Sequence, residues 1–325
     1  MSRLLIFTTG GTIASRYSEA LQGFTTALTG PDLIAAVPGL DSVAEVEVIE
    51  LANVSSTFLR PAQVLGWAHQ VAKALEDPAV AGAVVTHGTD TLEESAALFG
   101  FVIDAAKPVV FTGAMRTSSE LVVDGPRNLL CSARVALHPD AAGLGVLVVM
   151  NETIHAAQDV TKSDAESLAA FTSPNYGPLG FISRSWGHDE IIINRRPRHR
   201  EHVPAARLEE RVGYIKTVMG ADGQLIDAAV AADARGLVIE AFGGGEITPF
   251  MAPAVEAARH AGVEIVVVTR APAGRPLDLY ADLGEGKWLR DQGVHFGGYL
   301  NGPKTRIKLM LVLGLGQPGA VRAYF

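Results

Sequence analysis

Along the first 150 positions short apolar runs alternate with helical patterns, and no other feature of the chain narrows its fold so far. The runs at 3–8, 46–51, 81–86, 108–112 and 145–150 are too short for helices and are bounded by turn chemistry, so they read as buried strands. Helical patterns fill the intervals at 30–37, 60–75, 91–103 and 125–137. Parallel strands need a long crossover between them, and a helix supplies it. The alternation therefore specifies a doubly wound, mostly parallel sheet.

Between 151 and 194 the pattern turns to short strands with many turn residues, Ser173-Pro174-Asn175-Tyr176-Gly177-Pro178 among them, and reads as a hairpin-like elaboration closing the first domain. Residues 195–211 combine two prolines with mixed charge and little apolar periodicity, which marks a linker. A second βα series follows, with strands at 212–217, 236–241 and 263–269, helices at 226–232 and 250–261, and a terminal helix from 303. The fold class is α/β: a larger N-terminal domain over 1–194 and a smaller C-terminal α/β domain over 212–325, as a chain of 325 residues leads one to expect.

Acidic residues outnumber basic ones, 35 to 27, for a net charge of -8. Nucleic acid and anionic membranes both reward a basic surface, so neither is expected as a partner. No apolar run approaches the roughly 18 residues of a membrane span, and the first residues lack an export pattern, so a cytoplasmic location is expected. Cys131 is the only cysteine, which rules out an intrachain disulfide, and its helical surroundings suit a small buried hydrophobe. The histidines at 87, 155 and 188 lack metal-site spacing and read as structural. Gly243-Gly244-Gly245 lacks the spacing and lysine of a phosphate loop.

Two segments carry the chemistry. Thr8-Thr9-Gly10-Gly11-Thr12-Ile13-Ala14-Ser15 and Thr86-His87-Gly88-Thr89-Asp90-Thr91 each set threonine beside glycine directly after a strand. Reactive groups in an open parallel sheet collect at the carboxyl ends of strands, so both segments could face one cleft. Glycine at 10 and 11 lets backbone approach a ligand, with N–H groups free to hold an oxyanion or carboxylate; a tight turn with capping hydroxyls accounts for the same residues. Asp90 or Thr91 could cap the following helix, whose positive end Glu93 and Glu94 suit. Alternatively Asp90 fixes a substrate ammonium while Thr89 supplies a hydroxyl. A threonine hydroxyl attacks only when something takes its proton, and Lys162 in Asp159-Val160-Thr161-Lys162-Ser163 could do so; a surface lysine is the plain alternative.

These residues resemble the bacterial-type L-asparaginase family. The match runs through Thr9 to Ala14, Thr86 to Thr91, Lys107-Pro108-Val109-Val110-Phe111-Thr112-Gly113-Ala114-Met115-Arg116, Asp124-Gly125-Pro126-Arg127-Asn128-Leu129 and Asn175-Tyr176-Gly177-Pro178-Leu179-Gly180, and more loosely through Gly302-Pro303-Lys304. The resemblance implies hydrolysis of L-asparagine to L-aspartate and ammonia without metal or organic cofactor. It implies Thr12 as primary nucleophile on a mobile loop, with Thr89, Asp90 and Lys162 as a rigid second group. It further gives Asp90 the substrate amino group, Ser56 the carboxylate, and Tyr17 the place of a lid tyrosine. The family is a homotetramer of close dimers, with sites completed across the dimer contact. Thr57 stands where well-known members have glutamine, and Glu246 where the neighbour donates an asparagine.

From the residues alone, either threonine could attack first. Because the departures touch substrate recognition, glutamine, a D-amino acid amide or another amidated small molecule is the alternative substrate. A non-catalytic amino-acid-binding module would need Asp90 and Ser56 but not two hydroxyls with a lysine. A phosphate or nucleotide site at the first glycine turn would lack any basic residue among 8–15.

Overall fold

The computed structural model describes residues 2–185, 188–198 and 200–325, the side chains of Ser185 and His188 excepted. It divides into two compact units, the first ending at His202 and the second Val203–Phe325.

In the first unit, β1 (Arg3–Gly10) runs into a three-residue 3-10 turn, Thr12–Ala14, and a hairpin of β2 (Ser15–Ser18) and β3 (Gly23–Thr26). Helix α1 (Gly30–Ala35) follows, opened by a capping box in which Thr29 and Asp32 satisfy each other's backbone N–H groups. Then come β4 (Glu45–Val54), α2 (Pro61–Ala74), β5 (Val80–Thr86), α3 (Leu92–Val102), β6 (Val109–Thr112), α4 (Gly125–Leu137) and β7 (Val146–Met150). Proline in the first turn of α1, α2 and α4 costs no helical hydrogen bond and presets the backbone. The elaboration comprises β8 (Thr153–Ala156), a ribbon of β9 (Thr161–Lys162) and β10 (Phe171–Thr172), and the hairpin β11 (Gly180–Ser185) with β12 (His188–Ile193).

The large sheet has the order β12-β11-β8-β7-β6-β5-β1-β4, parallel from β4 to β7 and antiparallel beyond. Alternation along β6 shows how both faces are covered. Val110 joins the cluster that includes Leu129, Cys131 and Val135 of α4, while the next residue, Phe111, meets Phe99 of α3 edge to face at 4.9 Å. Thr8, Thr86 and Thr112 stand in register across β1, β5 and β6. Their strands end level, so the segments that follow share one edge of the sheet.

The second unit carries β13 (Val212–Lys216), α5 (Gln224–Ala231), β14 (Gly236–Ala241), α6 (Ala252–His260), β15 (Glu264–Thr269), α7 (Gly286–Asp291), β16 (His295–Phe296), α8 (Gly302–Gly314) and α9 (Ala320–Tyr324). Its sheet is parallel in the order β13-β14-β15-β16, with α8 packed on β13, β14 and β15. The α/β class, with a larger mostly parallel sheet before a smaller one, is as the sequence pattern requires. No helix among the described residues is long and apolar enough to cross a membrane.

Candidate active site

A cleft of about 380 Å³ opens at the carboxyl edge of the large sheet, where β1, β4 and β5 end. Its floor is made of three chain segments brought into backbone contact. Gly11 donates its N–H to the Val54 carbonyl at 3.0 Å, so this amide is already spent and not free for an oxyanion. Gly11 also has φ near +83°, and a Cβ there would lie 2.5 Å from the Gly88 nitrogen. A Cβ on Gly88 in turn would come within 2.8 Å of the Ser56 Cβ and Oγ. Only glycine at both positions lets Thr12, Ser56 and Thr89 line one small volume.

Behind Thr89 the ribbon delivers Lys162. The Lys162 N–H donates to the Glu93 carboxylate at 2.9 Å, and Asp159 accepts from the Tyr176 N–H at 2.9 Å and the Asn175 side chain at 3.1 Å, which ties the ribbon down on both sides. From this mount Lys162 Nζ donates to Thr89 Oγ1 at 3.0 Å and to Asp90 Oδ1 at 2.8 Å. Thr89 is buried, whereas Asp90 keeps 59% of its side chain exposed on the cleft. Thr12 lines the same cleft, and no described residue hydrogen-bonds its hydroxyl.

Helix capping does not explain the second segment. Thr91 occupies the N-cap of α3 but makes no side-chain cap, its hydroxyl instead donating to the Ser56 carbonyl at 3.1 Å. Asp90 is committed to Lys162. Preceding them, His87 is fully buried, with Nδ1–H donating to the Gly88 carbonyl at 2.7 Å and Nε2 without a partner. Burial pushes its pKa down to about 4, against a smaller opposing effect of that carbonyl, so the ring is neutral at physiological pH. Cys131 is buried far from chemistry of this kind, its thiol pushed up to about 11 chiefly by burial. Among the described residues no three His, Cys, Asp or Glu side chains are grouped to hold a metal ion.

The remaining sequence candidates fall as follows. Ser56 is buried in the cleft wall. Thr57 is turned to Ser55, the two hydroxyls 3.0 Å apart, and the cleft is lined by its neighbours Ser55, Ser56 and Phe58. Tyr17 sits on β2 and packs edge to face on Phe24 at 5.6 Å, and it is Phe24 of β3, with Thr25 and Thr26, that lines the cleft. Glu246 lies in the second unit, in the loop after β14. Sequence reasoning missed Phe24 and Asn53. Asn53 lines the cleft with a buried Oδ1 that has no partner, and it lies three positions before Ser56. Phe24 gave no signal, because 15–29 reads as loop until the hairpin is seen.

Fold and cleft together describe an α/β enzyme of the amide-hydrolysing class. The chain belongs to the asparaginase family: residues 3–197 match the model for the asparaginase N-terminal domain, and 211–325 that for the glutaminase/asparaginase C-terminal domain. It is similar to a probable L-asparaginase of Deinococcus radiodurans, 37% identical, with 97% of this chain and 94% of that protein covered. It is likewise similar to an L-asparaginase of Bacillus licheniformis, 32% identical over 98% of this chain and 97% of the relative. Among solved structures, a probable cytoplasmic L-asparaginase from Campylobacter jejuni superposes with a TM-score of 0.86 at 29% identity, covering 100% of this chain and 99% of that one.

Proposed function

We propose that the chain hydrolyses the side-chain amide of L-asparagine to L-aspartate and ammonia, with Thr12 and the Thr89–Lys162–Asp90 group as its working parts. The observation that carries this reading is the placement of Lys162 Nζ on both Thr89 Oγ1 and Asp90 Oδ1, 3.0 and 2.8 Å away, at a cleft that a second, unengaged threonine also lines. Asp90 takes the substrate ammonium and Ser56 its carboxylate, which aims the side-chain amide at the sheet edge. Thr12 Oγ adds to the amide carbon while its proton passes through Thr89 and Lys162 to the departing nitrogen, leaving an ester and ammonia. Water then attacks the ester, giving up its proton along the same route, and aspartate leaves. Positioning of this kind removes much of the entropic barrier to the first step.

The hairpin bearing Phe24 acts as the lid, and Tyr17 supports it from behind. We further propose a cytoplasmic homotetramer built from close dimers, in which a neighbour's Glu246 completes the cleft. Aromatic Phe24 and Phe58 on the cleft rim, and Thr57 in place of glutamine, favour a second reading in which larger or other amides are accepted. Ammonia release from L-asparagine, L-glutamine and D-asparagine tests both. Turnover of L-asparagine that disappears in Thr12→Val supports the first reading; turnover confined to another amide selects the second; and no release from any amide would sink both.

A further inference from the structure

A second cavity lies on the α4 side of the large sheet, behind the Thr12 turn. It encloses about 230 Å³, and its walls are Ile13, Leu28, Leu33, Val37 and Leu129. Its rim carries Arg116, Ser118 and Val123. An apolar cavity of about 150 Å³ is enough to hold benzene, so this one suits an aliphatic or aromatic body of roughly six to eight carbons. The rim is not apolar. The half-buried Arg116 guanidinium donates to the Val122 carbonyl at 3.3 Å and meets no carboxylate among the described residues. The nearest acid in sequence, Asp124, is spent on the backbone N–H groups of Met115 and Arg116 at 2.9 and 3.0 Å.

We propose that this cavity binds a short apolar carboxylate, its hydrocarbon among Ile13, Leu33 and Leu129 and its carboxylate on Arg116, and that its occupancy is felt at Thr12. An unpaired guanidinium over an apolar hole is complementary to such a molecule and to neither a plain hydrocarbon nor a plain anion. The coupling follows from what the walls are attached to. Ile13 follows Thr12 within one three-residue turn, and it is packed so closely on α4 that a Cβ at Gly125 would lie 2.9 Å from its Cγ1. On the rim, Ser118 donates from both N–H and Oγ to the Ser15 carbonyl at 3.1 and 2.8 Å, and Ser119 Oγ accepts from the Tyr17 N–H at 2.8 Å. A ligand on Arg116 thus sits between the support of the nucleophile turn and the support of the lid hairpin.

The binding claim stands apart from the proposed reaction, whereas the coupling claim rests on it. Calorimetric titration of the full chain with hexanoate, in saturating L-aspartate to occupy the cleft, tests the first. We expect one site per chain, at least ~tenfold weaker in Arg116→Gln and at least ~tenfold weaker for hexan-1-ol than for hexanoate. Ala36→Leu, which fills the cavity from the exposed end of α1, should abolish the heat while leaving the thermal midpoint in place. Absence of heat in the unsubstituted protein, heat that aspartate abolishes, or heat that survives both substitutions overturns the site. For the coupling, saturating hexanoate should change kcat for ammonia release by at least ~fivefold, and not in Ala36→Leu. An unchanged kcat overturns the coupling; a chain with no amidase activity at all refutes the proposed function and leaves the calorimetry to judge the site.

Discussion

Gly11 and Gly88 meet backbone to backbone, so tightly that a Cβ on the first would lie 2.5 Å from the nitrogen of the second. The contact joins the ends of β1 and β5, and it sets the spacing between the Thr12 turn and Thr89. Gly11→Ala would bring a side chain into a left-handed backbone conformation and into backbone that cannot yield. We expect a stability loss of about 2 kcal/mol or more, with at least a ~tenfold fall in kcat measured well below the unfolding midpoint. Urea denaturation together with steady-state rates checks this; unchanged stability with unchanged kcat would show the contact to be soft.

Thr12 and Thr89 act on the same proton in the proposed reaction, so their deletions should not add. Each of Thr12→Val and Thr89→Val is expected to lower kcat by at least ~10³-fold, and the double variant by little more than the worse single. Lys162→Met should resemble Thr89→Val. Multiplicative losses in the double variant would mean that the two hydroxyls serve separate steps.

The proposed lid makes a sharper distinction. Because Phe24 lines the cleft and Tyr17 does not, Phe24→Ala should raise KM for the amide by roughly tenfold, as expected when an aromatic ring that would close over the substrate is lost, whereas Tyr17→Phe should leave KM within about twofold. The reverse outcome would put the phenol of Tyr17, not the ring of Phe24, at the substrate.

The parts of this molecule that sequence made legible are those whose cause is local. Buried parallel strands such as 81–86 and 236–241 announce themselves as apolar runs, and β5 and β14 occupy Val80–Thr86 and Gly236–Ala241. Proline and glycine punctuate the helices between them. The elements that were not legible are short or depend on distant partners. Helix α7 has six residues and β16 has two, too few to show a period. The β2–β3 hairpin has strands of four residues held by Ser118 and Ser119, about a hundred positions away, so nothing within 15–29 declares it. The candidate site divides in the same way. Threonines beside glycines at strand ends were visible, but the bond from Lys162 to Thr89 spans 73 positions and exists only because the ribbon returns beneath α3.

Away from the cleft, Arg127 joins two parts of the first unit by binding Asp189 at 2.6 Å and Glu152 at 2.8 Å, with Arg134 also on Asp189 and Arg184 on Glu152. The Arg127 hydrogen bond, more than burial opposes it, holds the Asp189 carboxyl below its ordinary value; for Glu152 burial pushes upward and the bonds from Arg184 and Arg127 together outweigh it. Carboxyls so depressed take up protons first in the unfolded chain. Their contribution is complete above the ordinary carboxylate range and is lost as pH falls through the depressed folded-state values beneath it. Asp189→Asn should therefore cost about 1–3 kcal/mol at pH 7 by leaving two guanidinium groups underpaired, and it should flatten the acid limb of the stability profile. Urea midpoints from pH 7 down to pH 3 provide the measurement, and an acid limb identical in both proteins would remove the network from the account.

His87 gives a pH dependence of its own at a higher range. Its folded-state pKa is pushed to about 4 by complete burial, while an unfolded histidine titrates near 6.5. Between those values the unfolded chain binds a proton that the folded chain refuses, so stability rises with pH through this window and is fully present above it. The neutral ring leaves Nδ1–H on the Gly88 carbonyl, which holds the residue next to Thr89. We expect the unsubstituted protein to lose roughly 3 kcal/mol between pH 7 and pH 4 from this group, and His87→Gln, which has nothing to ionise there, to show a correspondingly shallower slope. Equal slopes between pH 6.5 and 4.5 would mean that the imidazole is protonated inside the fold, and its unpartnered Nε2 would then need a buried acceptor.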